Sequence, residues 1–428
     1  MITKTKYSTY SAGAITGIVV ASGDVLVVVV GTHQGNISNV TYNGVALTKF
    51  AEANTAFNER TSLWYTNSPS TGTHDVAVSA DGSHTGAVAY VLAGADNTIA
   101  PVKKVENGDS IRDTIFSDYD DCLFIDGIYS EATLSSPTQT SETIQNGASY
   151  ESFGSSSYDD SSNDNGVALF GWTQASGQRA SHLIVAFKAL TSSLFPILLD
   201  NASNKTDQTA VSSVTLSHVT GTLVNGILVV KVGLRDATAS DMTVTGVTYN
   251  GVALTKLRSD LWNSSTYARE EIWYLINPPA GTYNVVVSAT GTCDFINVVA
   301  ETWQGVDQTN PWNAQAGSGT LTTAGTSVTT NITPTINNNV ILDNIWGKDD
   351  TISIGSGQAY PVTTLPEHAG TDYHACSFKR QKTAGATSMA WSWTNSEGYA
   401  HGIGVLAPAS TVYVPRHPTA NHSNPAFL

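Results

Sequence analysis

Charge is scarce in this chain. Only 13% of its 428 residues are Asp, Glu, Lys or Arg, and 20 basic against 35 acidic side chains leave a net charge of −15. Such an acidic surface argues against nucleic acid and anionic membrane as partners. Cysteine is rarer still. Cys122, Cys293 and Cys376 are odd in number, far apart and set in strand-like runs, which points to buried free thiols and not to a disulfide frame or a metal site. Residues 1–24 carry Lys4 and Lys6 but no sustained apolar core, and the run that follows, Val25 to Val30, is too short to span a bilayer. Neither a signal peptide nor a membrane span is therefore expected. A phosphate-binding glycine loop, HExxH, paired CxxC and a GxSxG elbow are all missing, which weakens the common nucleotide-enzyme and hydrolase readings. No stretch keeps a helical period with good helix formers.

What the chain does contain, it contains twice. VTYNGVALTKF beginning at Val40 returns as VTYNGVALTKL beginning at Val247. Downstream, Leu63 to Ala80 matches Ile272 to Ala289, aligning Trp64 with Trp273, Pro69 with Pro278 and Gly72 with Gly281. Gly94 and Asp96 match Gly305 and Asp307, Leu123 to Tyr129 faces Val340 to Trp346, Trp172 faces Trp393, and His182 faces His401. Spacing drifts by a few residues between these anchors, as when insertions fall in loops. The expected organisation is a first repeat over 1–191, a linker over 192–205, a second repeat over 206–408 and a C-terminal arm or tail over 409–428.

Strand signals dominate both copies. The 36 glycines sit among Ser, Thr, Asn and Val, and short apolar runs such as VLVVVV, ILVVKV and HLIVAF are bounded by Gly, Asn, Asp or Pro. Asn43-Gly44 and Asn250-Gly251 lie between VTY and VAL, the composition a two-residue hairpin turn needs because both positions take positive φ. The fold class is all-β: two tandem β-sandwiches of jelly-roll or immunoglobulin-like type, each of roughly eight to ten strands, plus the C-terminal extension. The segment 192–205 mixes an apolar patch, Phe195 to Leu199, with polar residues and also reads as a strand packed along one domain.

Residues with chemical potential recur as well. Asp96 and Asp307, and Asp126 and Asp343, hold equivalent places; paired carboxylates serve glycosidases, but the duplication splits each pair between copies. Turn capping or bonding to backbone amides is their expected role. His182 and His401 lack a second ligand at metal spacing and read as hydrogen-bonded structural histidines. Ser157 to Asn165 has the composition of a calcium loop without EF-hand spacing and no counterpart in the second copy. No catalytic, cofactor-binding or metal residue is assigned. Trp391 and Trp393 alternate on one strand, which makes them a candidate glycan platform beside the plainer reading of framework tryptophans. The tail, cut by Pro415, Pro418 and Pro425, is polar until it ends in Phe427 and Leu428. Tyr413, Arg416, Phe427 and Leu428 are the candidate contacts of an arm that orders on a neighbouring subunit.

YNGVALT, then WYL-N-PP-GT-VVVS, then G-D-x-x-x-P, resembles repeats of structural proteins from tailed bacteriophages and of large bacterial surface or secreted proteins. The resemblance covers most of residues 10–407 and departs most in the first copy, where Asn67-Ser68-Pro69 stands for Asn277-Pro278-Pro279. It implies display, attachment or particle stabilisation without catalysis. A virion component, made in the host cytoplasm and built of subunits with a homo-oligomeric habit, is expected. The alternative is an extracellular adhesin or filament subunit that pairs edges or binds host-surface glycans.

Overall fold

The computed structural model describes residues 2–410 apart from 10–13, 56–58, 99–101, 109–111, 136, 138, 147–151, 161–165, 174–178, 192, 208–209, 237–241, 265–266, 348–351, 363–366 and 369–371. The protein is all-β, built from antiparallel sheets and one two-residue parallel pairing. The described residues divide into two compact units, 2–194 and 195–410.

In the first unit, one sheet runs β1 (Thr3–Thr9), β9 (Ser83–Ala93), β3 (Val25–His33), β7 (Glu59–Thr66), β6 (Thr48–Asn54). Its partner runs β2 (Ala14–Val20), β8 (Gly72–Ala80), β4 (Ile37–Tyr42), β5 (Val45–Ala46). With β6 set aside, the first strand lies beside the last, the last beside the third, and the second beside the penultimate. That is jelly-roll pairing. A second sandwich follows in the same unit: β10 (Val102–Gly108), β16 (Ala180–Lys188), β12 (Cys122–Ser130), β14 (Ser152–Asp159), β13 (Thr140–Asn146), facing β11 (Arg112–Phe116) and β15 (Val167–Gly171). It repeats the pairing order in shortened form.

The second unit follows the same plan. One sheet runs β17 (Leu198–Asp207), β25 (Phe295–Gln304), β19 (Ile227–Asp236), β23 (Tyr267–Ile276), β22 (Thr255–Asn263), β27 (Thr320–Leu321) and faces β18 (Val211–Thr220), β24 (Gly281–Cys293), β20 (Val244–Tyr249), β21 (Val252–Ala253). The other sandwich has β26 (Trp312–Gly317), β35 (Tyr399–Leu406), β29 (Asn339–Gly347), β32 (Asp372–Ala375) and β31 (Glu367–His368), with β33 (Phe378–Gln381) also on β29. It faces β28 (Gly325–Ile332), β34 (Thr387–Glu397) and β30 (Ser353–Ile354).

Each unit thus holds two sandwiches where the sequence suggests one, and about twice the strands. The reason is burial on both faces. Along β3, Leu26, Val28 and Val30 pack toward β2, β4 and β8, while Val25, Val27 and Val29 pack against Leu123, Ile125, Phe153, Leu183 and Val185 of the second sandwich. An unbroken valine run is what a strand covered on two sides requires. The stretch set apart as a linker also belongs to a sheet: β17 pairs along β25, so 198–205 is framework, as its alternative reading has it, and the unit boundary falls at Leu194.

The Asn-Gly turns adopt the expected geometry, with φ +49° and +73° at Asn43 and Gly44 and +49° and +77° at Asn250 and Gly251. A Cβ on Gly44 or Gly251 meets open space, so only backbone strain opposes it. Gly251→Ala is expected to lower stability by about 1–2 kcal/mol, read as a shift in denaturant midpoint; an unchanged midpoint would contradict the turn assignment.

Candidate functional site

The chemically richest residues lie inside the sandwiches. Asp126, on β12, is fully buried. Ser156 donates its backbone N–H and its hydroxyl to Oδ1, the latter at 2.8 Å, while the Trp172 indole N–H (2.7 Å) and His182 Nε2 (3.0 Å) reach Oδ2. Asp343, on β29, repeats the arrangement with Ser377 N–H (2.7 Å), Ser377 hydroxyl (2.8 Å), Trp391 indole (2.7 Å) and His401 Nε2 (3.2 Å), and Gln358 stands 3.5 Å away. Ser, His and Asp meet here, but not as a nucleophile relay. Both serine and histidine point to the carboxylate, so the histidine does not stand between serine and aspartate as a base must. The carboxylate is a hub that ties three strands together.

The tryptophan equivalent to Trp172 is therefore Trp391, not Trp393. Ten residues separate Trp172 from His182 and Trp391 from His401, a spacing that was available in the sequence. Trp391 and Trp393 are 1% and 7% exposed and packed with Val328, Ile345 and Ala375, so neither ring offers a face to a sugar. The Trp393 indole donates to the Gly325 carbonyl at 2.7 Å. Ser156, Ser377 and Gln358 carried no signal in sequence, because their roles depend on which strands pair.

Asp96 and Asp307 cap turns. Asp96 accepts from Thr98 N–H (2.9 Å) and pairs with Lys188 (2.8 Å). Burial raises its pKa, but the Lys188 and Thr98 hydrogen bonds outweigh this and hold it down at about 2. Asp307 accepts from Asn310 and Thr309 N–H, which lower its pKa. The cysteines are free and buried; burial raises the thiol pKa of Cys122 and of Cys293 to about 12 and that of Cys376 well above the ordinary value. Among the described residues no group of three or more His, Cys, Asp or Glu could hold a metal ion. The candidate contacts Tyr413, Arg416, Phe427 and Leu428, and residues 161–165 of the acidic stretch, lie outside the described residues.

A second constellation lies in the second unit. Between the inner sheets of the second unit, Lys231 and Glu301 form a salt bridge with both side chains fully buried. His374 Nε2 lies 2.6 Å from Asn344 Oδ1 and 3.5 Å from Glu270 Oε2. Arg258 and Asp260 pair at 2.7 Å nearby. The Asn297 amide and the Trp346 indole N–H are buried without a hydrogen-bond partner.

The exposed faces are quite different. On the outer sheet of β18 and β24, Ser213, Thr215, Ser217 and Val219 stand opposite Ser288, Val286, Asn284 and Thr282. On β28 and β34, Ser327, Thr329 and Asn331 stand opposite Ser392, Ala390 and Ser388. These ladders carry no charge. An open depression near the Asn250-Gly251 turn is lined by Thr248, Thr282, Tyr283, Asn284 and Val286. No protein-family model matches this chain, and no curated protein is similar to it.

Proposed function

We propose that this chain is a non-enzymatic structural protein of a tailed-phage particle, a capsid-decoration, head-fibre or tail-associated component that works through subunit contacts and surface display. One observation carries the reading. The Asp–His pairs that recur in both units, Asp126 with His182 and Asp343 with His401, have fully buried side chains, whereas the outer sheets of the second unit offer uncharged ladders of Ser, Thr, Val and Asn. Such faces suit contact by shape. Jelly-roll sandwiches serve capsid and lectin domains, though a fold alone does not fix a role. The sequence resemblance supplies the particle.

The test is assembly. Light scattering and electron microscopy of the full chain are expected to give closed symmetric oligomers, and removal of 411–428 is expected to weaken them while both units stay folded. The cut falls after Ser410 because Ala409 N–H bonds the Gly305 carbonyl and Pro408 pairs with Val306. A truncated chain that assembled as well as the full one would remove the arm from the reading. A glycan-binding surface adhesin is the second reading, favoured by the amide, hydroxyl and tyrosine groups around the open depression; filaments retained on glycan resin would support it.

A further inference from the structure

The inner layers of the two units correspond in strand register. Gly31 on β3 and Gly233 on β19 each lie under a ring: a Cβ on Gly31 would stand 2.5 Å from Phe153 Cδ2, and one on Gly233 2.7 Å from His374 Cδ2. Strand registers extend the match. Val29, Thr61, Gly86 and Tyr90 in the first unit occupy the places of Lys231, Glu270, Asn297 and Glu301 in the second. The first unit closes its layer with aliphatic packing, the hydroxyl pairs Tyr90 with Ser155 (2.6 Å) and Thr61 with Ser181 (2.8 Å), and, two residues along β7, a buried Glu59 that lies 3.7 Å from His33. The second fills the same layer with Lys231, Glu301, Glu270 and His374 and leaves polar atoms of Asn297 and Trp346 unmet. Buried polar groups without partners favour any state that hydrates them.

We infer that the layer between the two sandwiches of the second unit is a pH-responsive joint, closed while Glu270 and His374 are both neutral and parting when either one becomes charged.

The charged groups acting on this pair, among the described residues, are Asp260 on β22, Asp343 on β29 and Glu271 on β23 toward Glu270, and Lys231 on β19 toward His374; Asp260 is itself paired with Arg258, and Lys231 with Glu301 on β25. Burial, and then the Lys231 charge, lowers the His374 pKa from 6.5 to about 3. Burial, and then the Asp260 charge, raises Glu270 well above 4.5. The open, hydrated joint restores ordinary values to both. The depressed histidine then favours closure fully above pH 6.5 and loses that contribution as pH falls toward 3. The raised carboxyl favours closure fully below pH 4.5 and loses its contribution as pH rises. Just above pH 4.5 the two slopes oppose and cancel.

Cys376 reports on the joint, since it is buried and feels the charges of Lys231 and Glu301. Its alkylation rate, divided by the rate in the unfolded chain at the same pH and located by peptide mass spectrometry, gives the opening constant; Cys122 and Cys293 serve as internal controls. In the native protein that constant should be flat just above pH 4.5 and rise as pH falls below it, approaching about tenfold per pH unit. Each substitution should expose the other group's slope inside the flat window. In His374→Phe, and likewise His374→Gln, opening should grow as pH rises above 4.5. In Glu270→Gln it should grow as pH falls below 6.5. A native Cys376 opening constant without pH dependence, one that tracked those of Cys122 and Cys293 at every pH, or variants that kept the flat window would each overturn the inference.

Discussion

Replacing Asp343 by alanine is expected to destabilise the protein by about 3–5 kcal/mol, the scale for removing one side of a fully buried charged network. The size follows from what is left behind. Ser377 loses the acceptor for its N–H and hydroxyl, the Trp391 indole loses its carboxylate acceptor, and the His401 ring keeps the contact of its Nδ1 with Thr330 (2.8 Å). Each orphaned buried donor costs about 1–3 kcal/mol in lost hydration, and relaxation of the surrounding strands recovers part of that. Asp126→Ala should cost a similar amount in the first unit, since Ser156, Trp172 and His182 converge in the same way. Denaturant unfolding followed by tryptophan fluorescence measures both. A loss below about 1 kcal/mol in either would mean that the hub is dispensable.

Breaking the buried pair of the second unit from one side should be as damaging. Glu301→Ala leaves the Lys231 ammonium without its partner in a dry layer and removes the acceptor of the Trp303 indole (3.0 Å), so a loss of about 3–5 kcal/mol is expected. Replacing both charges tells the other half of the story. Lys231→Met with Glu301→Leu should be neutral or more stable than the native chain by up to about 4 kcal/mol, because two desolvated ions cost more than two well-packed apolar side chains. The first unit already uses that solution, with Val29 and Tyr90 at these places. The pH dependence set by Glu270 and His374 should persist, since burial is the first cause of both shifts. If the double variant were as unstable as the single one, the pair would be indispensable packing and not a charged layer retained at a cost.

Much of the fold was legible in the residues. The Asn-Gly turns, the valine runs and the alternating strands such as Val211–Thr220 follow from local rules, because φ preference and side-chain alternation act over two to eight residues. The recurrence of Asp126 and Asp343, and of His182 and His401, marked the hubs without showing that each pair shares a hub with a tryptophan and a serine. Aligning Trp172 with Trp393 missed by two residues, and in a strand a slip of two preserves the face, so alternation could not reveal it. The number of sandwiches was also hidden, since a run buried on both faces reads the same whichever two layers cover it.

By itself the sequence determined that this chain is all-β, acidic and internally repeated, with turn residues where hairpins need them, because composition, periodicity and backbone preference are local properties. Only the tertiary structure decided that strands nearly ninety residues apart in sequence, as β17 and β25 are, lie side by side. It also decided that Ser377 and His401 meet on Asp343, and that Lys231, Glu270, Glu301 and His374 share one buried layer. Those placements depend on long-range strand order, in which each pairing is fixed by the burial of faces contributed by distant segments, and no window of neighbouring residues contains that information.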